Sequence, residues 1–329
     1  MRLSFRTLAS LPFAAILAAC AGSGTGDDGR LRIVTTVSPI TSLVEDIAGE
    51  LAHITGIVPE GTNSHEFEPA PSDARVLAEA DVVFVNGLNL EVPSVQLAEA
   101  NLRDDAIIVR LGEQTITEDE YIYDFSFPLE EGNPNPHLWT NPPYAKRFAE
   151  LIKDTLSRLD PANVEAFQAN YEELAGRLDS LDAALREATA TVPEPNRKLL
   201  TYHDSFPYLA RSFGWTVIGA VQPSDFSEPS ARDLGALINQ IREHELPAIF
   251  GSEVFPSEIL AQIARETGAR YLDDLRDDDL PGSPGDRDHS LLGLLVFDFR
   301  TIVGALGGDP SALDDVQVDP IGSGASYRE

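Results

Sequence analysis

The sequence predicts an α/β protein: two similar parallel-sheet α/β domains joined by one long rigid helix. Three observations lead there. Short β-rich runs alternate with helical runs between residues 31 and 160, the alternation returns between 193 and 308, and a helical stretch almost free of breakers lies between them. Strands that alternate with helices build parallel sheets, because each crossover carries the chain back over its sheet.

The elements follow in order along the chain. Residues 1–19, "MRLSFRTLASLPFAAILAA", carry two arginines and then an apolar run too short to span a bilayer comfortably, the pattern of a secretory signal. Cys20 is the single cysteine, so an exported chain has no disulfide partner for it. "LAAC" resembles the bacterial lipobox, which implies cleavage before Cys20 and acylation of its thiol and new amino group. Residues 20–30 then read as a lipid-anchored, Gly/Ser-rich tether.

In the first domain (31–160), "LRIVTT", "AHITGIV", "DVVFVNG" and "AIIVRL" read as buried strands, with "SPITSLVEDIAGE" and "PSDARVLAEA" as helices between them. Ser72 is placed to cap the second of these helices. Residues 161–192 form the linking helix: Phe167, Tyr171, Leu174, Leu178, Leu181 and Leu185 recur at three- and four-residue spacing. About 25 helical residues at 1.5 Å each give a strut about 38 Å long. The second domain (193–308) supplies strands "KLLTY", "WTVIGAV", "PAIFG" and "ARYLD" with helices between, and 309–329 reads as a polar tail.

The formal charge is −30, and loss of Arg2 and Arg6 with the signal would leave −32. Such a chain has little with which to neutralise phosphates, which argues against a nucleic-acid partner. Its field raises the local concentration of cations, although solubility or a salty habitat explains the charge equally well.

The six histidines separate by context. His53 at a strand start and His244 at a polar helix end read as ordinary side chains, and His289 precedes the last helix. His65 and His203 each follow a strand, where open parallel sheets place ligands. His137 sits in "NPNPHLWTNP", a loop stiffened by Pro134, Pro136 and Pro142. With the acidic "LDDLRDDDLPGSPGD" these form a candidate cluster drawn from four loops.

"SHEFEPAPSD", "NPHLWTNP", "LLTYHDSFPYLARSFG" and "LRDDDLPGSPGD" together resemble the signature segments of bacterial zinc- and manganese-binding lipoproteins. These are the substrate-binding components of metal-importing ABC transporters, with the helical-backbone metal receptor fold. The resemblance implies a metal site in the interdomain cleft, with His65, His137, His203 and Asp278 as ligands and Asp277 as the alternative if the register shifts by one. Zn²⁺ suits three imidazoles and a carboxylate, and the resemblance ties a histidine at position 203 to zinc, with Mn²⁺ the alternative. Many zinc receptors carry a His-rich loop before the second ligand, whereas residues 113–133 here are acidic and lack histidine. Glu66, Glu68, Asp204 and Glu228 are candidates to hold the ligand rings.

The implied function is a non-enzymatic receptor, exported and lipid-anchored to the outer face of the cytoplasmic membrane, that captures a divalent metal for an ABC permease and its ATPase. A surface adhesin or metal-dependent interaction lipoprotein is a second reading. A zinc hydrolase is a third, disfavoured because four ligands leave no open position and "HEFEP" is not HExxH.

Overall fold

Two parallel sheets are built from the two alternating stretches. The computed structural model describes residues 28–222, 229–252 and 258–327. Cys20 and Glu228 lie outside the described residues, as do the signal and most of the tether. The first half runs β1 (Leu31–Thr35), α1 (Ser38–Ala48), β2 (Ala52–Gly56), α2 (Asp73–Glu79), β3 (Val82–Val85), α3 (Val92–Asn101), β4 (Ile107–Arg110) and α4 (Leu111–Thr115). Helices α5 (Pro142–Leu159) and α6 (Val164–Thr191) follow. The second half runs β5 (Lys198–Thr201), α7 (Pro207–Phe213), β6 (Thr216–Ala220), α8 (Ala231–Glu243), β7 (Ala248–Ser252), α9 (Glu258–Thr267), β8 (Arg270–Leu275), α10 (Leu291–Ala305) and the short β9 (Ala325–Ser326).

The sheets have strand orders β4-β3-β1-β2-β9 and β6-β5-β7-β8, and every pairing is parallel. Central strands such as β3, "VVFV", are buried on both faces, as a sheet covered by helices requires. The loops after β2, β5 and β8 leave the carboxyl ends of their sheets, and they carry His65, His203 and Asp277 to Asp279.

Helix α6 is 28 residues long, about 42 Å at 1.5 Å per residue. Phe167, Leu174, Leu178, Leu181 and Leu185 are buried, and they join one apolar core that also holds Ile40 and Phe84 of the first half and Phe250 and Phe299 of the second. The strut is thus welded to both halves through shared packing, so relative motion of the halves must break core contacts.

Three features depart from the sequence reading. Ser72 makes no side-chain cap; Asp73 Oδ2 instead accepts from the Ala70 amide at 2.7 Å. Helix α5 was not anticipated, although Ala145, Phe148, Ala149, Ile152 and Leu156 form a buried stripe and its two leading prolines suit a first turn. The folded body also continues past Gly308. β9 pairs with β2, the Ile321 amide donates to Asp46 Oδ1 at 2.7 Å, and the Tyr327 hydroxyl donates to Glu45 Oε2 at 2.8 Å. Gly322 makes that path feasible, since a Cβ there would lie 1.9 Å from the Glu45 carbonyl oxygen. Polar composition hid this strap, which adds these hydrogen bonds to the packing of Ile321, Ala325 and Tyr327 against the core. Among the described residues, no helix is long and apolar enough to cross a membrane.

Candidate metal centre

His65 sits on the long β2–α2 loop, His203 two residues beyond β5, and His137 on the proline-framed loop ahead of α5. Their side chains converge. The Nε2 atoms of His65 and His203 are 3.1 Å apart, and each is 3.3 Å from that of His137. His137 and His203 are buried and His65 is half-buried.

Hydrogen bonds fix which nitrogen of two rings bears the proton. His137 Nδ1 lies 2.9 Å from Asn135 Oδ1, and His203 Nδ1 lies 2.8 Å from Gln222 Oε1. An amide oxygen only accepts, so both Nδ1 atoms donate and both Nε2 atoms present lone pairs. The 3.3 Å approach of those two Nε2 atoms is therefore not a hydrogen bond; two lone pairs face one point. Nitrogens bound tetrahedrally at about 2.05 Å would stand about 3.3 Å apart, the spacing the triangle already has.

The mount of His137 is layered. Asn135 Oδ1 also accepts from the His137 amide at 3.0 Å, and Asn86 Nδ2 donates to the Pro136 carbonyl at 3.0 Å. Trp139, fully buried, packs its ring 5.1 Å from the imidazole and donates its indole N–H to the Asp277 carbonyl at 2.8 Å. The prolines stiffen this loop, and the indole ties it to the other half of the molecule.

The three aspartates after β8 have separate partners. Asp277 accepts from Ser205 Oγ at 3.0 Å and from the Asp278 amide at 3.2 Å. Asp279 Oδ2 accepts from the Gly61 amide at 2.5 Å. Asp278 Oδ2 accepts from Ser64 Oγ, beside His65, while its Oδ1 is buried without a hydrogen-bond partner among the described residues. Asp278 is not a member of the converging group, which consists of the three imidazoles.

Burial governs the protonation states. It pushes His65 and His137 well below the ordinary histidine value, helped by the neighbouring rings. Burial also lowers His203, opposed by Asp277 and by the bond to Gln222. Three neutral imidazoles result at neutral pH. Burial and the adjacent Asp277 push Asp278 well above the usual carboxylate range. Asp204 is raised in the same way, by burial and then by Asp124, itself pushed up to about 6.

The ring-holding partners of His137 and His203 are amides, where the sequence pointed to acids. Glu66 and Glu68 are exposed, and Glu66 accepts from Asn63 Nδ2 at 2.8 Å. Asp204 is buried and offers its backbone carbonyl to Asn135 Nδ2 at 2.5 Å. Asn135 was findable, since it stands two residues before its histidine. Gln222 was not, because β6 separates it from His203. His289 is buried elsewhere, with Nδ1 3.2 Å from the Pro281 carbonyl and its ring 4.6 Å from Tyr327.

The family model described as zinc-uptake complex component A, periplasmic, matches residues 33–305. The manganese-binding lipoprotein MntA of Halalkalibacterium halodurans is 29% identical over 89% of this chain and 95% of its own. The iron-binding protein YfeA of Yersinia pestis is also 29% identical, over 78% of this chain and 80% of its own. The solved periplasmic zinc-binding protein TroA of Treponema pallidum superposes with a TM-score of 0.76 at 28% identity, covering 84% of this chain and 99% of that one.

Proposed function

The chain belongs to the family of zinc-uptake complex component A, and on that premise we propose that it captures a divalent transition-metal ion outside the cytoplasmic membrane and delivers it to an ABC permease and its ATPase. It is a substrate-binding receptor and not an enzyme. The carrying observation is the triangle of Nε2 atoms at 3.1 to 3.3 Å, two of them held as lone-pair donors by amide oxygens. The ion is cargo. His65 and His137 hold it from one half, His203 from the other, and Asp278 completes the set. Of the three neighbouring aspartates, Asp278 alone keeps a buried oxygen with no donor among the described residues, and Ser64 sets it beside His65.

Zinc is the favoured cargo, because three imidazoles and one carboxylate match its four-coordinate, nitrogen-rich preference. Relatives named for manganese, iron and zinc resemble the chain to nearly the same degree, so the donor set carries this preference and the likeness does not. Manganese is the second reading, favoured by the absence of histidine in the acidic 113–133 segment. Anchoring through Cys20 to the outer face of the cytoplasmic membrane follows from the "LAAC" segment.

The test is elemental analysis of the protein after dialysis against equimolar zinc, manganese and iron(II), beside a His203→Ala variant. One zinc per chain in the wild type, and a loss of at least about a thousandfold in affinity in the variant, are expected. Equal retention by both proteins would refute the site.

A further inference from the structure

The acidic segment before His137 has a buried aromatic ring at its centre. Phe127 is only 7% exposed, yet among the described residues it joins none of the three apolar clusters. Its ring meets imidazoles instead. The centroid lies 5.5 Å from that of His65, 5.8 Å from His137 and 5.7 Å from His203. A point nearly equidistant from three rings lies close to the axis through their triangle, so Phe127 covers one face of the group.

Ser126 beside it is buried, but the chain reaches the surface one residue further on each side. Phe125 is 50% exposed and Leu129 is 64% exposed, with Glu130 and Glu131 exposed beyond. Phe127 thus lies beneath a stretch of chain that reaches solvent on either side of it. Apart from a short turn at Leu129–Glu131, closed by Gly132 in the left-handed region at φ +76°, the segment from Tyr121 to Asn133 has no regular structure.

Two side-chain bonds of residues 124–127 end on the residues that orient the imidazoles. Ser126 Oγ donates to the Gln222 carbonyl at 3.2 Å, and the Gln222 side chain holds His203. Asp124 Oδ2 accepts from Asn135 Nδ2 at 2.9 Å, and Asn135 Oδ1 holds His137. Asp124 Oδ1 accepts from the Phe127 amide at 3.2 Å, and the Asp124 amide donates to the Phe127 carbonyl at 2.9 Å, so ring and clasp move together.

We infer that residues 124–127 form a gate over the metal centre, in which the Phe127 ring blocks passage of the ion and the clasps through Ser126 and Asp124 hold it closed. The inference rests on the proposed metal site. A gate raises the barrier to entry and to exit equally, because its opening precedes both. Its removal speeds both rates by one factor and leaves the dissociation constant nearly unchanged. A ring that merely braced the ligands would, when lost, raise dissociation alone and weaken binding by the same factor. The measurement separates the two.

Stopped-flow exchange of Zn²⁺ with a chromophoric chelator, in both directions, reads the rates on wild type, Phe127→Ala, Phe127→Leu and Ser126→Ala. Phe127→Ala is expected to accelerate association and dissociation by at least about tenfold each, with the dissociation constant within about threefold. Ser126→Ala moves both rates the same way by a smaller factor, and Phe127→Leu stays near wild type because it keeps the bulk. Should the Ala variant fold poorly in thermal unfolding, the Ser126→Ala and Phe127→Leu pair carries the test. Unchanged rates, or faster dissociation alone, would overturn the gate while leaving the site standing. A wild type that retains no zinc would overturn site and gate together.

Discussion

Replacing Gln222 with leucine isolates one contact that the proposed metal site depends on. Gln222 is buried, and its Oε1 is the acceptor that keeps the His203 proton on Nδ1. Leucine is of similar size and accepts nothing. The buried Nδ1–H loses its partner, at about 1–3 kcal/mol. The ring then gains by moving its proton to Nε2, which would point an N–H at the other two nitrogens, 3.1 and 3.3 Å away. Loss of such a partner typically lowers metal affinity 10–100-fold, about 1.4–2.7 kcal/mol. Chelator-competition titration of Zn²⁺ near pH 7.5 reads the change, and thermal unfolding of the metal-free protein checks the fold. Gln222→Glu restores an acceptor and is expected to recover most of the affinity. If Gln222→Leu bound zinc within about threefold of wild type while His203→Ala lost it, tautomer locking would be the wrong account of this site.

Trp139→Phe removes the indole donor to the Asp277 carbonyl and leaves that buried oxygen unpaired. Urea unfolding is expected to show a loss of about 2 kcal/mol, and a loss under about 0.5 kcal/mol would argue that water replaces the bond. Asp46 is buried beneath the strap, and burial pushes its carboxyl up to about 7. The folded value lies above the unfolded one, so this group's stabilising contribution is full below about pH 4 and is lost as pH rises through about 7. Asp46→Asn keeps the acceptor for the Ile321 amide and does not titrate. Its stability relative to wild type is expected to rise by a few kcal/mol between pH 4.5 and 8, and a constant difference across that range would contradict the burial argument. Asp278, raised by burial and by Asp277, must give up a proton to bind a cation. Calorimetry near pH 6.5 in two buffers of different ionisation enthalpy is expected to find net proton release on zinc binding. The imidazoles, lowered by burial, release few there. Buffer-independent heats and constant affinity from pH 5.5 to 7.5 would remove Asp278 from the ligand set.

Much of the fold was legible because it rests on periodicity. The eight strands read from the sequence reappear as β1 to β8, and the stripe from Phe167 to Leu185 lies on one helix. Helix α5 escaped notice because its start is fused to a proline-rich loop, so local rigidity masked the helical stripe that follows. The strap at residues 321–327 escaped because a two-residue strand has almost no pattern, and its partners Glu45 and Asp46 lie some 280 positions away. At the site, His65, His137 and His203 stood out as histidines in stiff or strand-terminal loops. Phe127 did not, since an isolated phenylalanine in an acidic stretch reads as surface until its neighbours are known.

By itself, the amino-acid order determined the class of architecture, the strut between the two sheets and which histidines stand at strand ends. Those follow from the short-range rules of backbone geometry and apolar spacing, which act over a few residues. Only the tertiary structure decided that three imidazole nitrogens meet at 3.1 to 3.3 Å, that amides and not carboxylates hold two of those rings, and that each of three adjacent aspartates has its own partner. The physical reason is distance along the chain. Ser64 and Asp278, or Trp139 and Asp277, are joined only after both sheets have packed on the shared core, and nothing in either local segment encodes the other.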